Sequence, residues 1–369
     1  MQVEIGWGAQ ARVIEVPEGS AVLRPPAGRP ACDLQAALGA ALLAPVGSAP
    51  LSARLAGVRR VCVLVPDNTR KGVAQAVLPA LAAVLDAAGV SWSVGVATGK
   101  HPPTPHAGAH WVHDAADPAL VPVGVTARGT EVRYPQAVIE ADLRILVGEI
   151  RPHYFAGWAG GAKAVFPGVA GAAGIWHNHR LKALPGARLG VVEGNPCRAD
   201  MEAAAALAGP SFLINLVRGR AGVVAVVAGD VVAAHRAGVA LARPLFEVGA
   251  SRRFAQILVS DGHPVTASLY QACKLLPPAG ALLEEGGTVI IAADLASGVG
   301  PVQVINEAIY GLGVRHALPA SHRVVLVSSR TQAEVEPTFC TFAASLEGAL
   351  GGRPTLVLPR GGDIVPVLT

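Results

Sequence analysis

Seven of the eleven histidines lie between His101 and His179, about a fifth of the chain: His101, His106, His110, His113, His153, His177 and His179. Imidazole carries protons near neutral pH and ligates metals, so this concentration points to acid–base or metal chemistry. The spacing is not that of a zinc site, because HExxH and CxxC are both absent. His177-Asn178-His179 spells HNH, but a nuclease needs those residues spread over a ββα-metal fold. Inside the histidine-rich stretch runs RPHYFAGWAGGAKAVFPG, residues 151–168. Its glycines at 157, 160, 161 and 168 let backbone N–H groups approach an anion, and its aromatics can stack on a ring. It is neither a GxxxxGK[ST] loop nor a GxGxxG turn. Lysine is scarce: 25 Arg stand against Lys71, Lys100, Lys163, Lys182 and Lys274. A lysine retained on that background suits a task closed to guanidinium, such as bonding covalently through a deprotonated amine.

The elements that must position these groups read as α/β. Residues 59–65 (RRVCVLV) form a short β-branched run ending at Pro66-Asp67-Asn68. Residues 72–88 have helical apolar spacing and are followed by Gly89, a C-terminal helix stop. A second strand over 91–97 ends in Thr98-Gly99-Lys100-His101, and a third over 142–148 runs into Glu149-Ile150-Arg151-Pro152-His153. Strand, helix and strand in about 40 residues make a βαβ unit with a parallel sheet. Ligands bind outside the carboxyl ends of such strands, where Asp67, Arg70, His101 and His153 are delivered. A second unit follows Arg243-Pro244, with strands at 254–260, 288–293 and 323–328 and a helix at 265–276 carrying Gln271 and Lys274. The expected domains are 1–246 and 250–348, with a tail at 352–369 returning to the first.

Composition narrows the function classes. The 369 residues are 51% apolar and 15% charged, which excludes a disordered chain. Net charge is +4 without a basic stripe, so no nucleic-acid partner is expected. No clean apolar run reaches the ~18 residues of a spanning helix, and no secretory leader opens the sequence. Five scattered cysteines without CxxC read as reduced thiols, and the location expected is cytoplasmic.

Five short segments, in order, add a resemblance. DNTR at 67–70, TGKH at 98–101, RPHYFAGWAGGAKAVFPGV at 151–169, IWHNH at 175–179 and YQACK at 270–274 together resemble the nickel-dependent lactate racemase family. The resemblance implies two domains, each with a mainly parallel Rossmann-like sheet flanked by helices, and a site in the cleft between them. It implies a racemase or epimerase acting on a 2-hydroxy acid by reversible hydride transfer. The implied cofactor is a nickel-pincer nucleotide, pyridinium-3,5-bisthiocarboxylic acid mononucleotide holding Ni(II), made by dedicated synthesis enzymes and joined to Lys163. By the same motif match His179 ligates nickel, and sulfur, carbon and imidazole donors suit that metal. His101 and His153 are the implied acid and base, Arg70, Gln271 and Lys274 the substrate ligands, and Asp67, Gly160 and Gly161 further cofactor contacts.

The chemistry fits those residue types. Removing hydride from the 2-carbon while a base takes the hydroxyl proton gives a planar 2-keto acid, which can be reduced again on either face. Two imidazoles serve the two hydroxyl positions, and cations serve the carboxylate. Asp67 either orients Arg70 or a cofactor hydroxyl, or caps the helix that follows. Two positions where a basic residue is expected hold others: Pro102 follows His101, and Ala162 precedes Lys163. Two other readings are a ligand- or nucleotide-binding homologue without turnover and a zinc or iron hydrolase built on the histidine cluster.

Overall fold

The computed structural model describes residues 1–104 and 106–369. They divide into two compact units, one of residues 28–187 and 191–245 and one of residues 1–27, 188–190 and 246–369. Each is a six-stranded sheet flanked by helices.

In the first unit the strands run in the order Gly222–Gly229, Ser211–Gly219, Leu143–Ile150, Arg60–Pro66, Ser91–Ala97 and Trp111–Val112. All neighbours are parallel except the Ser211–Gly219/Gly222–Gly229 pair, an antiparallel hairpin. The three strands expected from the apolar runs therefore lie side by side. Leu143–Ile150 is buried at every position, as a central parallel strand covered on both faces must be. Alternation decides which face each side chain serves. Val61, Val63 and Val65 pack with Val77, Leu81 and Leu85 of the helix Val73–Ala87. Cys62 and Leu64 pack in the opposite layer with Phe155, Phe166 and Met201. The same strands thus hold a helix on one side and the Gly-rich segment on the other.

The six-stranded sheet of the second unit is parallel throughout, in the order Thr341–Ala343, Arg323–Val327, Leu283–Ala292, Phe254–Ser260, Leu356–Leu358 and Ala21–Val22. It corrects the expected domain limits at both termini. Residues 1–27 belong here rather than with the first sheet. Ala21–Val22 pairs with Leu356–Leu358, and the hairpin Gln2–Trp7/Gln10–Glu15 contributes Val3, Ile5 and Ile14 to a core with Leu258, Ile290 and Val357. The tail also stays, since Val365–Leu368 pairs with Glu247–Ala250. Towards the C-terminus the first unit ends at Leu245 and the second resumes at Phe246. The helix expected over 265–276 begins later, at Leu269, where the Ser268 hydroxyl accepts from the Gln271 N–H. No helix among the described residues is long and apolar enough to cross a membrane.

Candidate active site

At the carboxyl edge of the first sheet, the strand Arg60–Pro66 delivers Asp67 and the strand Ser91–Ala97 delivers His101. Asp67 is buried, and its Oδ1 accepts from the backbone N–H (3.1 Å) and hydroxyl of Thr69. Its Oδ2 lies 2.7 Å from His101 Nδ1. Burial alone would raise the Asp67 pKa, but the hydrogen bonds from His101 and Thr69 outweigh it and hold the carboxyl below its usual value. The adjoining Gly99 N–H donates to Gly168 O at 2.8 Å, tying the His101 loop to the Gly-rich segment.

That segment is organised around one ring. Phe155 is fully buried, with His153 edge-on at 4.7 Å between centroids, His179 edge-on at 5.0 Å and Lys163 Nζ 5.7 Å from its centre. Three residues of the expected site, from a strand end, a 3-10 turn (Gly161–Ala164) and a helix (Ala172–Arg180), therefore meet at a common side chain. Tyr154 stacks on His153 at 5.3 Å, and the Ala156 N–H donates to His153 Nδ1 at 3.2 Å. His179 Nδ1 is buried and makes no hydrogen bond. Burial first, then the charges of Lys163, Lys100 and Lys182, push the His179 pKa well below the usual imidazole value, so the ring is neutral.

Four polar residues that the sequence reading passed over hold this segment in place. Asn195 donates to Phe155 O (2.8 Å) and caps the helix Pro196–Ala206 by accepting from the Arg198 N–H. Arg198, wholly buried, donates to Gly160 O (3.1 Å), to Ala156 O (3.4 Å) and to Trp158 O. Asn215 Oδ1 accepts from the Gly161 N–H at 2.8 Å, and His235 Nε2 donates to Ala159 O at 2.9 Å. Asn215 carried a usable signal: a lone amide in the apolar strand FLINLV must find a partner once buried.

Other expected residues take different places. The Gly161 N–H, expected to face an anion, is committed to Asn215. Glycine is required at 160 and 161 because a Cβ would fall 2.4 Å from Asn215 Oδ1 and 2.9 Å from the His235 ring. Arg70 Nε lies 3.3 Å from Glu149 Oε1, so its guanidinium is oriented by a buried carboxylate. Gln271 and Lys274 share one face in the second unit, where Lys274 Nζ donates to Gln271 Oε1 and sits 5.7 Å from the Tyr270 ring centre. The histidine cluster splits. His110 Nδ1 accepts from Val94 N–H, His113 Nε2 donates to Ala170 O, and His177 Nε2 donates to Arg128 O. These three brace backbone. Among the described residues no three His, Cys, Asp or Glu side chains form a group able to hold a metal.

Residues 7–190 match the lactate racemase N-terminal domain. The lactate racemase of Lactiplantibacillus plantarum is 31% identical over 69% of this chain and 65% of its own length. That of Thermoanaerobacterium thermosaccharolyticum is 28% identical over 94% of this chain and 93% of its own. The chain belongs to the lactate racemase family. The solved lactate racemase apoprotein from T. thermosaccharolyticum superposes along the full length of both chains with a TM-score of 0.90 at 24% identity, which establishes the shared fold. A Thermotoga maritima protein of known structure shares it more loosely, with a TM-score of 0.65 at 17% identity over 87% of this chain and 98% of its own. The family's N-terminal domain match, residues 7–190, takes in Asp67, His101, His153, Lys163 and His179.

Proposed function

We propose that this chain is a racemase or epimerase that interconverts the stereoisomers of a 2-hydroxy acid, working with a nickel-pincer nucleotide tethered at Lys163. The observation that carries the reading is the set of His153, Lys163 and His179 around Phe155 in a member of this family. The residues fit the group. A metal ligand must be a neutral imidazole with an uncommitted nitrogen, and His179 offers a buried Nδ1 without a hydrogen-bond partner. A single protein ligand leaves the remaining donors to the nucleotide, in keeping with the lack of a three-ligand group among the described residues. When bound, the pincer nucleotide supplies the hydride acceptor that lets the 2-carbon become planar.

The chain's own residues do the rest. Lys163 forms the tether through its amine, and His179 ligates the metal. His101 and His153 handle the hydroxyl proton. Arg70 and Lys274 are the proposed cations for the substrate carboxylate, with Gln271 adding a hydrogen bond. Glu149 keeps the Arg70 guanidinium pointed in one direction, which limits the rotamer entropy lost when an anion binds.

The test is to co-express the chain with cofactor-synthesis enzymes, then measure peptide mass, nickel content and racemisation of a panel of 2-hydroxy acids. The expected result is a nucleotide-sized adduct on the Lys163 peptide, about one nickel per chain, and interconversion of at least one pair of stereoisomers. Adduct and nickel without turnover on any of them would make this a binding homologue. Neither adduct nor nickel, beside a relative that loads in the same host, would overturn the cofactor assignment.

A further inference from the structure

The hydrogen bonds on His101 and His153 are of opposite kinds. Asp67 Oδ1 already accepts twice from Thr69, and an ionised carboxylate can only accept, so the proton between Oδ2 and His101 sits on Nδ1. A backbone N–H can only donate, so the His153 Nδ1 that faces Ala156 N–H bears a lone pair. A neutral imidazole carries one N–H. His101 therefore presents a basic Nε2, while His153 presents Nε2–H. The stacked Tyr154 and the edge of Phe155 hold the His153 ring in this orientation.

We infer that the fold fixes the two histidines in opposite tautomers at rest, making His101 the ready base and His153 a hydrogen-bond donor. The assignment of roles rests on the racemase reading, whereas the tautomers do not. In the forward proton step the O–H bond of the 2-hydroxyl breaks and an N–H bond forms at His101 Nε2. The resulting imidazolium is ion-paired with Asp67, and the return step moves the same proton back. His153 meets a substrate oxygen through Nε2–H. Before it can accept a proton at Nε2 it must shift its own to Nδ1, which the Ala156 N–H opposes. The stereoisomer whose hydroxyl faces His101 is thus deprotonated directly, and its mirror image only after the Ala156 bond breaks. Asp67 is then a positioning residue.

The tautomers can be read without cofactor or substrate, by long-range proton–nitrogen NMR on the full chain carrying ¹⁵N-histidine, with the signals assigned from His101→Gln and His153→Gln. The expected pattern is a protonated Nδ1 and bare Nε2 for His101, and the reverse for His153. In Asp67→Ala the His101 pattern should lose its enforced Nδ1 proton while that of His153 stays. The same tautomer on both rings, or a protonated Nδ1 on His153, would overturn the inference even in a fully active racemase. The roles are read by single-turnover oxidation of each stereoisomer by the loaded enzyme. One stereoisomer should react faster. For that one His153→Gln, whose amide can still donate, should stay within about tenfold of wild type, and His101→Gln should lose on the order of 10²–10⁴-fold. Equal loss in the two variants would refute the division of roles while leaving the racemase reading intact.

Discussion

Arg198 supports the Gly-rich segment from beneath, and replacing it by Met separates its hydrogen bonds from its bulk. Methionine fills a similar volume, so the cavity contribution is small. Two backbone carbonyls, those of Trp158 and Gly160, lose the Arg198 donor, while Ala156 O keeps the Trp158 N–H at 2.9 Å. A buried acceptor that loses its donor costs about 1–3 kcal/mol, so the loss is roughly 4 kcal/mol if the two are counted at mid-range. Against it stands the relief of burying a charge. Desolvation lowers the Arg198 pKa from 12.5 to about 10, and at about 1.4 kcal/mol per unit the substitution returns roughly 3 kcal/mol. The net expectation is a destabilisation of about 1 kcal/mol, or a fall in melting temperature of roughly 2–4 °C for a unit of this size. Calorimetry, with the fluorescence of the buried Trp158 as a local probe, measures both. Arg60→Met is the control, because the Arg60–Glu140 pair at 3.1 Å is exposed and worth no more than about 1 kcal/mol. A melting temperature for Arg198→Met no lower than that of the wild type would refute the reasoning. It would mean that desolvation cancels the hydrogen bonds and that Asn195, Asn215 and His235 hold the segment without help.

Two further expectations concern backbone shape and pH. Gly157 has φ +74°, and a Cβ there would lie 1.9 Å from Val191 O, so Gly157→Ala should abolish folding of the first unit, while Gly89→Ala, at φ +67° with open space around it, should cost about 1 kcal/mol by urea unfolding; equal effects would show that the close approach is relieved cheaply. Burial and the neighbouring Asp363 raise the Asp261 pKa to about 6, so its protonated form favours the folded state. That stability is fully present below about pH 4, the value for an unfolded carboxyl, and is lost as pH rises through about 6, amounting to roughly 3 kcal/mol. Urea midpoints from pH 4 to 7 should fall less steeply in Asp261→Asn than in the parent; parallel curves would remove Asp261 from the titration.

What the sequence could and could not reveal follows from how far apart the interacting residues lie. The strands that end at Asp67, His101 and His153 are legible because a buried parallel strand is a continuous apolar run, and its carboxyl end is where the run stops. Their adjacency follows from the βαβ connection. The partners of residues 1–27 are not legible, since Ala21–Val22 is a two-residue strand with no period to detect and pairs with residues more than 300 positions away. The histidine cluster misleads in part for a related reason. Sequence proximity brings His110, His113 and His177 near the candidate site histidines, but local backbone geometry turns them onto amide and carbonyl groups. Arg198, Asn195 and His235 sit 38 to 76 positions from the carbonyls at 155–160 that they hold, and no local pattern marks them.

The scarcity of lysine gains a physical meaning at His179. Three of the five lysines, Lys100, Lys163 and Lys182, are close enough to depress its pKa, and Lys182 is itself buried, with its own pKa lowered to about 8 chiefly by desolvation. Arginine supplies the same positive field, and this chain uses arginine five times as often. Field alone therefore does not account for three lysines. An ammonium differs from a guanidinium in that it can give up its proton when buried and then act as a nucleophile. Lys163 is the member of the three that stands on the Gly-rich segment beside Phe155, and together the three charges disfavour a proton on the His179 ring. The arrangement puts a neutral, bond-forming imidazole beside a lysine amine, which is what a tethered metal group would need and what a plain anion site would not.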